Sequence, residues 1–167
     1  MKFTPYAAFG TVVIVTSTEI GDTHRVILGD NGLVTSGYYY YTLGRAEVTH
    51  VETGEKLEDR TPGWLNSEHD LSSASSGGEI TLTFPEKTEW ICISHKSNPI
   101  GLPNLTSLLI KNGEETIIPN GTNLFLARGT LQINDTIFEG PRQIRIRSGD
   151  VTATAIIAGD CYSLIFS

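Results

Sequence analysis

Long apolar runs are absent from this sequence of 167 residues, in which the longest hydrophobic stretches have only the length of a β-strand. A transmembrane helix needs about 20 consecutive apolar residues, so we expect no membrane span and no membrane partner. The first ten residues, MKFTPYAAFG, contain one lysine and a proline and lack the apolar core of a secretory signal peptide. We therefore expect no secretory leader.

Cysteine and positive charge are also scarce. The two cysteines, Cys92 and Cys161, lie in apolar strand-like segments. We interpret them as buried free thiols of a reducing compartment, although a disulfide between them stays open at this point. Nineteen acidic side chains outnumber twelve basic ones, which gives a net charge of -7. This balance disfavours nonspecific binding to nucleic acid, so we expect no nucleic-acid partner.

Motifs for catalysis are missing as well. The sequence has no Gly-x-Ser-x-Gly nucleophile motif, and its Gly77-Gly78 pair leads into a predicted strand rather than into a helix that could bind phosphate. Four glutamates, Glu47, Glu52, Glu55 and Glu58, lie close together on one predicted hairpin and its turn, which is a usual location for solvating carboxylates. We therefore expect no catalytic residues, no cofactor and no bound metal.

Short β-branched and apolar segments, separated by turn signals, recur about a dozen times, and helical periodicity is almost absent. This pattern predicts an all-β, antiparallel jelly roll or β-sandwich barrel with little helix, formed by a single domain over residues 1–167. Residues 67–78, rich in Ser and Gly, form a low-complexity loop within it. The predicted strands are 11–18, 24–28, 38–43, 45–50, 57–61, 79–84, 88–95, 115–118, 123–128, 130–134, 136–139, 143–147, 151–158 and 161–166.

Residues 105–113 are the most ambiguous part of this pattern. Residues 105–111 fit either a strand or a short helix that begins after Asn104. The dipeptide Asn112-Gly113 that follows favours a primed turn, and hence a hairpin between residues 105–111 and residues 115–118.

Residues 37–63 contain the most informative order of elements: a tyrosine-rich strand, Gly44, an alternating strand, a turn at Gly54, a short strand and Pro62-Gly63. This order resembles the first half of a cupin, an RmlC-like jelly roll. A weaker echo, with Gly129 between two strands, lies at residues 124–134. The resemblance implies the fold. It implies no metal site, because a metal-binding cupin offers a His-x-His pair that this sequence lacks.

The candidate contact or ligand residues come from three places in the sequence. Tyr38 and Tyr40 would share one face of the first strand, with Tyr39 and Tyr41 on the other, and both faces are expected to be covered. Trp64 could stack on a sugar ring, although a core position is the commoner use of such a residue. In the predicted strand 143–147, Ile144 and Ile146 should point inward, while Arg145 and Arg147 form an outward ridge. We expect this ridge to pair with carboxylates of the same or a neighbouring subunit.

From these observations the sequence predicts a non-enzymatic structural or interaction module of a symmetric assembly. The specific hypothesis is a phage virion component, tail-associated or capsid-decorating, that is assembled in the host cytoplasm as a homo-oligomer and contacts other protein subunits. Two alternatives stay open. One is a cytoplasmic cupin-type enzyme or sensor for a sugar or small polar ligand. The other is a lectin-like host-receptor-binding module.

Overall fold

A computed structural model describes residues 1–28, 37–66 and 78–167. All regular elements in these ranges are β-strands. No segment there forms a helix with the length and hydropathy that a membrane span requires. The strands are β1 (Lys2–Ala8), β2 (Thr11–Ser17), β3 (Thr23–Leu28), β4 (Gly37–Leu43), β5 (Glu47–His50), β6 (Leu65–Asn66), β7 (Gly78–Thr83), β8 (Glu89–Ser94), β9 (Leu105–Ile110), β10 (Glu115–Ile118), β11 (Asn123–Arg128), β12 (Thr130–Ile133), β13 (Thr136–Glu139), β14 (Arg142–Arg145), β15 (Val151–Ile156) and β16 (Cys161–Phe166).

The chain divides into two compact units. Unit 1 comprises residues 1–7 and 11–102, and unit 2 comprises residues 8–10 and 103–167. The organisation of residues 1–167 as one domain stays a prediction.

Unit 1 is a sandwich of two sheets. A five-stranded sheet has the order β1-β2-β8-β4-β6, and a three-stranded sheet has the order β3-β7-β5. Antiparallel pairing places Tyr41 opposite Trp90 and Tyr39 opposite Cys92, on the face that looks toward the three-stranded sheet. That sheet contributes aliphatic side chains to the same core, among them Val48 and Leu82. The core of unit 1 is therefore aromatic on one side and aliphatic on the other.

Unit 2 is a second sandwich, of two four-stranded sheets with the orders β10-β15-β12-β13 and β14-β11-β16-β9. Its core is almost entirely aliphatic, with Leu124, Leu126 and Leu131 fully buried at its centre. The buried hydroxyl of Ser163 has no hydrogen-bond partner in the described part of the chain. Both units confirm the predicted all-β, antiparallel, sandwich-type jelly roll.

Two glycines make the corners at which the chain passes from one sheet to the other. Gly44 follows β4 with a φ of 77°, and a Cβ at this position would lie 2.2 Å from the Lys87 carbonyl oxygen. Gly129 separates β11 from β12, and a Cβ there would lie 2.8 Å from the Asp160 carbonyl oxygen. Only glycine fits such close approaches of backbone. These are the two glycines on which the cupin resemblance rests, one in each unit.

Most predicted strands are present, and residues 105–111 form a strand, β9. Two predictions were wrong. Residues 57–61 form no strand, because the only bridge that they make to the described residues is the isolated pair Ala46–Arg60, and the neighbouring pair Thr49–Lys56 does not extend it into a ladder. Asn112-Gly113 closes no hairpin, because β9 pairs with β16 whereas β10 pairs with β15.

The strand β1 was not predicted, and nor was the short strand β6. The predicted loop 67–78 lies outside the described residues except for Gly78, which begins β7.

Candidate functional site

The site lies inside unit 1 and begins with the tyrosines of β4. Tyr39 and Tyr41 point into the sandwich, and they are 9% and 0% exposed. Tyr40, on the opposite face, is 1% exposed, and Tyr38 is half-buried. The expectation that both faces of this strand are covered is therefore confirmed within the chain itself.

Arg60 inserts a cation among these rings. Its backbone N–H and carbonyl pair with Ala46, at 2.9 Å in each direction, and its side chain is buried, with 6% of the residue exposed. The guanidinium carbon lies 4.5 Å from the centre of the Trp64 ring, 5.7 Å from that of Tyr41 and 5.8 Å from that of Tyr39. We call these three rings the Arg60 cage. Each ring is within the distance at which a cation is attracted to an aromatic face.

Trp64 reaches the cage because of the turn that precedes it. Gly63 has a φ of 93°, its N–H donates to the Tyr41 carbonyl at 2.8 Å, and the Trp64 carbonyl accepts the Tyr41 N–H at 3.0 Å. The Pro62-Gly63 corner thus fixes Trp64 directly beside β4. Its ring meets the Tyr41 ring edge-on, at 5.8 Å between centroids.

A second group of rings extends the cage toward β3. Trp90 is sandwiched between Tyr41 and Phe84, with centroid distances of 5.5 and 5.3 Å. His24 lies 6.1 Å from Trp90, on the side of β3 that also carries the core residue Val26. His24 and Trp64 are the half-buried members of the group. They are therefore the rings through which the interior meets solvent.

Four described titratable side chains of this interior, those of His24, Tyr39, Tyr41 and Cys92, are neutral at physiological pH. Burial raises the pKa of the Cys92 thiol to about 11, and it also raises the pKa values of Tyr39 and Tyr41 above 10. Burial, together with the charge of Arg60, lowers the pKa of His24 below 6.5. The interior of unit 1 therefore presents one positive charge and no negative charge from these four groups.

Arg60 has few polar partners in the described residues. One of its nitrogens, Nη1, donates to the Tyr41 hydroxyl at 3.3 Å, and no carboxylate in these ranges forms an ion pair with it. A guanidinium has five N–H donors. By contrast, Arg45 on the surface of the same unit pairs with both Glu47 and Asp59. Arg60 thus combines deep burial with an unbalanced charge.

The resemblance to cupins raises the question of whether this chain has the ligands of a metal site. The described ranges contain no group of three or more His, Cys, Asp or Glu side chains that could hold a metal ion. The ring nitrogen Nδ1 of His50 is 3.2 Å from the Thr53 hydroxyl. Within residues 1–28, 37–66 and 78–167, the side chains do not fit the metal centre of a cupin.

The structure brings together only part of the predicted site. Trp64 belongs to the Arg60 cage, whereas Tyr38 and Tyr40 lie on the other face of β4. Because Tyr40 is almost fully buried, it has no surface to offer to another subunit in this structure.

Arg145 and Arg147 lie in unit 2. Ile144 and Ile146 are buried there as expected, and the two arginines are exposed. Arg145 covers the ring of Phe9 at 5.4 Å, and Arg147 donates to the Thr122 and Ile146 carbonyls. In the described residues neither forms the expected ion pair with a carboxylate of the same chain.

Sequence reasoning missed Arg60, His24 and the inward pair Tyr39 and Tyr41. A signal existed for the tyrosines, since alternation placed two of them on each face, but it did not show which pair faces the interior of the sandwich. Arg60 had no signal of its own, because it stands in the polar segment 57–61, where an exposed arginine is ordinary.

Comparison with known proteins supports the fold alone. No family model matches the sequence, and no curated protein matches it. Among solved structures, HutD from Pseudomonas fluorescens SBW25 is similar, with a TM-score of 0.55 and 10% identity over 98% of this chain and 85% of its own. YhhW from Escherichia coli is also similar, with a TM-score of 0.50 and 13% identity over 93% and 79%. These neighbours have cupin-like jelly rolls, so the fold expected from residues 37–63 is confirmed.

Proposed function

We propose that this protein binds a small anionic molecule inside unit 1, with Arg60 as the residue that holds its charge. The observation that carries the proposal is the buried guanidinium, which no carboxylate in the described residues balances. Removing a charge from water costs several kcal/mol unless a partner compensates it. A bound oxyanion would provide that partner, through charge-assisted hydrogen bonds to the guanidinium N–H groups that have no partner among the described residues.

The fold is compatible with this role. Small-molecule sites are common in the mouths and interiors of β-barrels, where apolar walls surround a few well-placed polar groups. The interior of unit 1 has this composition, whereas the core of unit 2 is aliphatic. This proposal develops the cupin-type ligand-binding alternative in preference to the virion module. The virion role, the homo-oligomer and the cytoplasmic or virion location stay predictions, since no described feature bears on them.

We further propose binding without catalysis. A catalytic nucleophile must be activated, for example by a lowered pKa. Burial has the opposite effect on Cys92, Tyr39 and Tyr41, whose pKa values are raised. Such groups suit a passive wall of a binding site better than a reacting centre. The lectin-like alternative stays a prediction, because no described feature bears on it.

The test is a thermal-shift screen of small carboxylates, sulfonates and phosphates, followed by calorimetric titration of the compounds that stabilise the protein. A ligand at ten times its dissociation constant adds about 1.4 kcal/mol of stability. This corresponds to a rise in Tm of about 3 to 6 °C for a chain of this size. The Arg60→Met variant should lose the shift, and Arg45→Met, which removes a surface cation from the same unit, should keep it. An identical response of wild type and Arg60→Met would refute the proposal.

A further inference from the structure

We infer that the anion is an aryl carboxylate, that is, a flat aromatic ring bearing one carboxylate group. This inference rests on the proposed function and specifies the chemical class of the ligand. The Arg60 cluster comprises the Arg60 cage together with the neighbouring rings of Trp90, Phe84 and His24. Three of its features support the inference: the amount of charge, the orientation of the donors, and the half-buried rings.

The charge favours a monoanion. Arg60 supplies one positive charge, and the groups that face the same interior from β3, β4 and β8 are neutral: His24, Tyr39, Tyr41 and Cys92. A single carboxylate balances Arg60. A phosphate dianion would bring a second charge into the interior without a described cation to balance it, at a considerable desolvation cost.

The donors favour a planar carboxylate. Trp64 lies over the guanidinium at 4.5 Å, so a ligand must approach along the edge of the guanidinium plane. The N–H groups point outward along that edge, and Tyr41 accepts from one of them, at Nη1. The remaining edge can bind both oxygens of one carboxylate through two parallel hydrogen bonds, which is the arrangement that arginine prefers.

The free surfaces favour a flat ring. Both faces of Trp90 are occupied, by Tyr41 and by Phe84. Trp64 and His24 are the half-buried rings of the cluster, and they can stack on an aromatic ligand. Besides Arg60, the hydrogen-bonding groups of this interior among the described residues include the side chains of His24, Tyr39, Tyr41 and Cys92. A sugar acid would bring several hydroxyl groups that need partners, so the cluster suits a ring with few of them.

Four probes separate these requirements by isothermal titration calorimetry with the full-length protein. Benzoate carries both the ring and the charge, cyclohexanecarboxylate carries the charge without the flat ring, benzamide carries the ring without the charge, and inorganic phosphate replaces the carboxylate. We expect benzoate to bind about tenfold more tightly than cyclohexanecarboxylate, which is the effect of one or two aromatic contacts. We expect no binding of benzamide or phosphate at the same concentrations.

Two variants locate the interaction. Arg60→Met should abolish benzoate binding, and Trp64→Leu should weaken benzoate about tenfold while leaving cyclohexanecarboxylate unchanged. Far-ultraviolet circular dichroism checks that each variant is folded, and Arg45→Met serves as the matched control that keeps wild-type binding.

The outcomes distinguish this inference from the proposed function. If both acids bind equally and both need Arg60, the anion site stands and the aromatic class is wrong. If phosphate binds more tightly than benzoate, the monoanion argument is wrong. If no acid binds, or if Arg60→Met binds like wild type, both the inference and the proposed function are overturned.

Discussion

Replacing Arg60 by methionine separates a ligand-holding cation from a structural one. The desolvation penalty of a buried ion is several kcal/mol. Against this penalty stand a cation–π contact with Trp64, worth about 2 kcal/mol when desolvated, and one hydrogen bond to Tyr41, worth about 1.5 to 3 kcal/mol. None of these contacts neutralises the charge of the guanidinium, whereas a bound anion would do so.

Methionine retains much of the length of the arginine side chain, carries no charge and packs well against aromatic rings. We expect the ligand-free Arg60→Met variant to be as stable as wild type or more stable by up to about 4 kcal/mol, the upper end of the range seen when buried ion pairs are replaced by apolar residues. With a slope near 2 kcal/mol per molar urea, a gain of 2 kcal/mol would raise the unfolding midpoint by about 1 M.

The assay is equilibrium unfolding in urea, followed by circular dichroism for the whole chain and by tryptophan fluorescence for unit 1. Trp64 and Trp90 are the only tryptophans in the sequence, and both lie in the Arg60 cluster. The surface variant Arg45→Met should lose about 1 kcal/mol or less. A loss of more than about 2 kcal/mol in ligand-free Arg60→Met would refute the reasoning, because Arg60 would then stabilise the fold without an anion.

Three further predictions concern other parts of the structure. The pKa of His24 is lowered in the folded state. The contribution of His24 to the free energy of unfolding is therefore constant above pH 6.5 and declines as the pH falls from 6.5 through the folded pKa. In urea unfolding measured from about pH 8 to about pH 5, His24→Gln should remove this part of the decline. Gly44→Ala should destabilise the protein by roughly 3 kcal/mol or more, because it adds a backbone clash to a strained φ. Gly54 also has a positive φ, but the space around it is open, so Gly54→Ala should cost about 1 to 2 kcal/mol in the same assay. Cys92 and Cys161, whose pKa values are each raised to about 11, should react with a thiol reagent at pH 8 far more slowly in the native protein than in urea; equal rates in the two conditions would contradict their burial.

The fold was largely predictable because its signals are local. β-branched alternation identified nearly all the strands, and close backbone approach explains why Gly44 and Gly129 stand where the chain changes sheets. The weaker repeat of the pattern around Gly129 also indicates a corner, the one at which the chain changes sheets in unit 2. The pairing of the strands was harder to predict from the sequence. Asn112-Gly113 has the local chemistry of a hairpin turn, but whether β9 and β10 pair with each other is decided by the distant strands β15 and β16.

The candidate site was predictable only in part, for a related reason. Alternation along β4 separates Tyr39 and Tyr41 from Tyr38 and Tyr40, but which pair faces the interior depends on the position of β8 and the three-stranded sheet. Arg60 is buried because its backbone pairs with Ala46, 14 positions earlier in the chain. A polar segment around an arginine indicates exposure, and nothing local reveals that the cage of three rings closes around it.

The central claim is that an anion binds at the Arg60 guanidinium, and side-chain nitrogen NMR tests it most directly. In protein labelled with ¹⁵N, the Nε–H signal of Arg60 is assigned by its disappearance in Arg60→Met, and benzoate and acetate are then titrated into the wild type. We predict that the Arg60 signal moves saturably with benzoate, whereas the Arg45 signal stays in place. An Arg60 signal that does not move with either acid, or that moves only in step with Arg45, would contradict the claim.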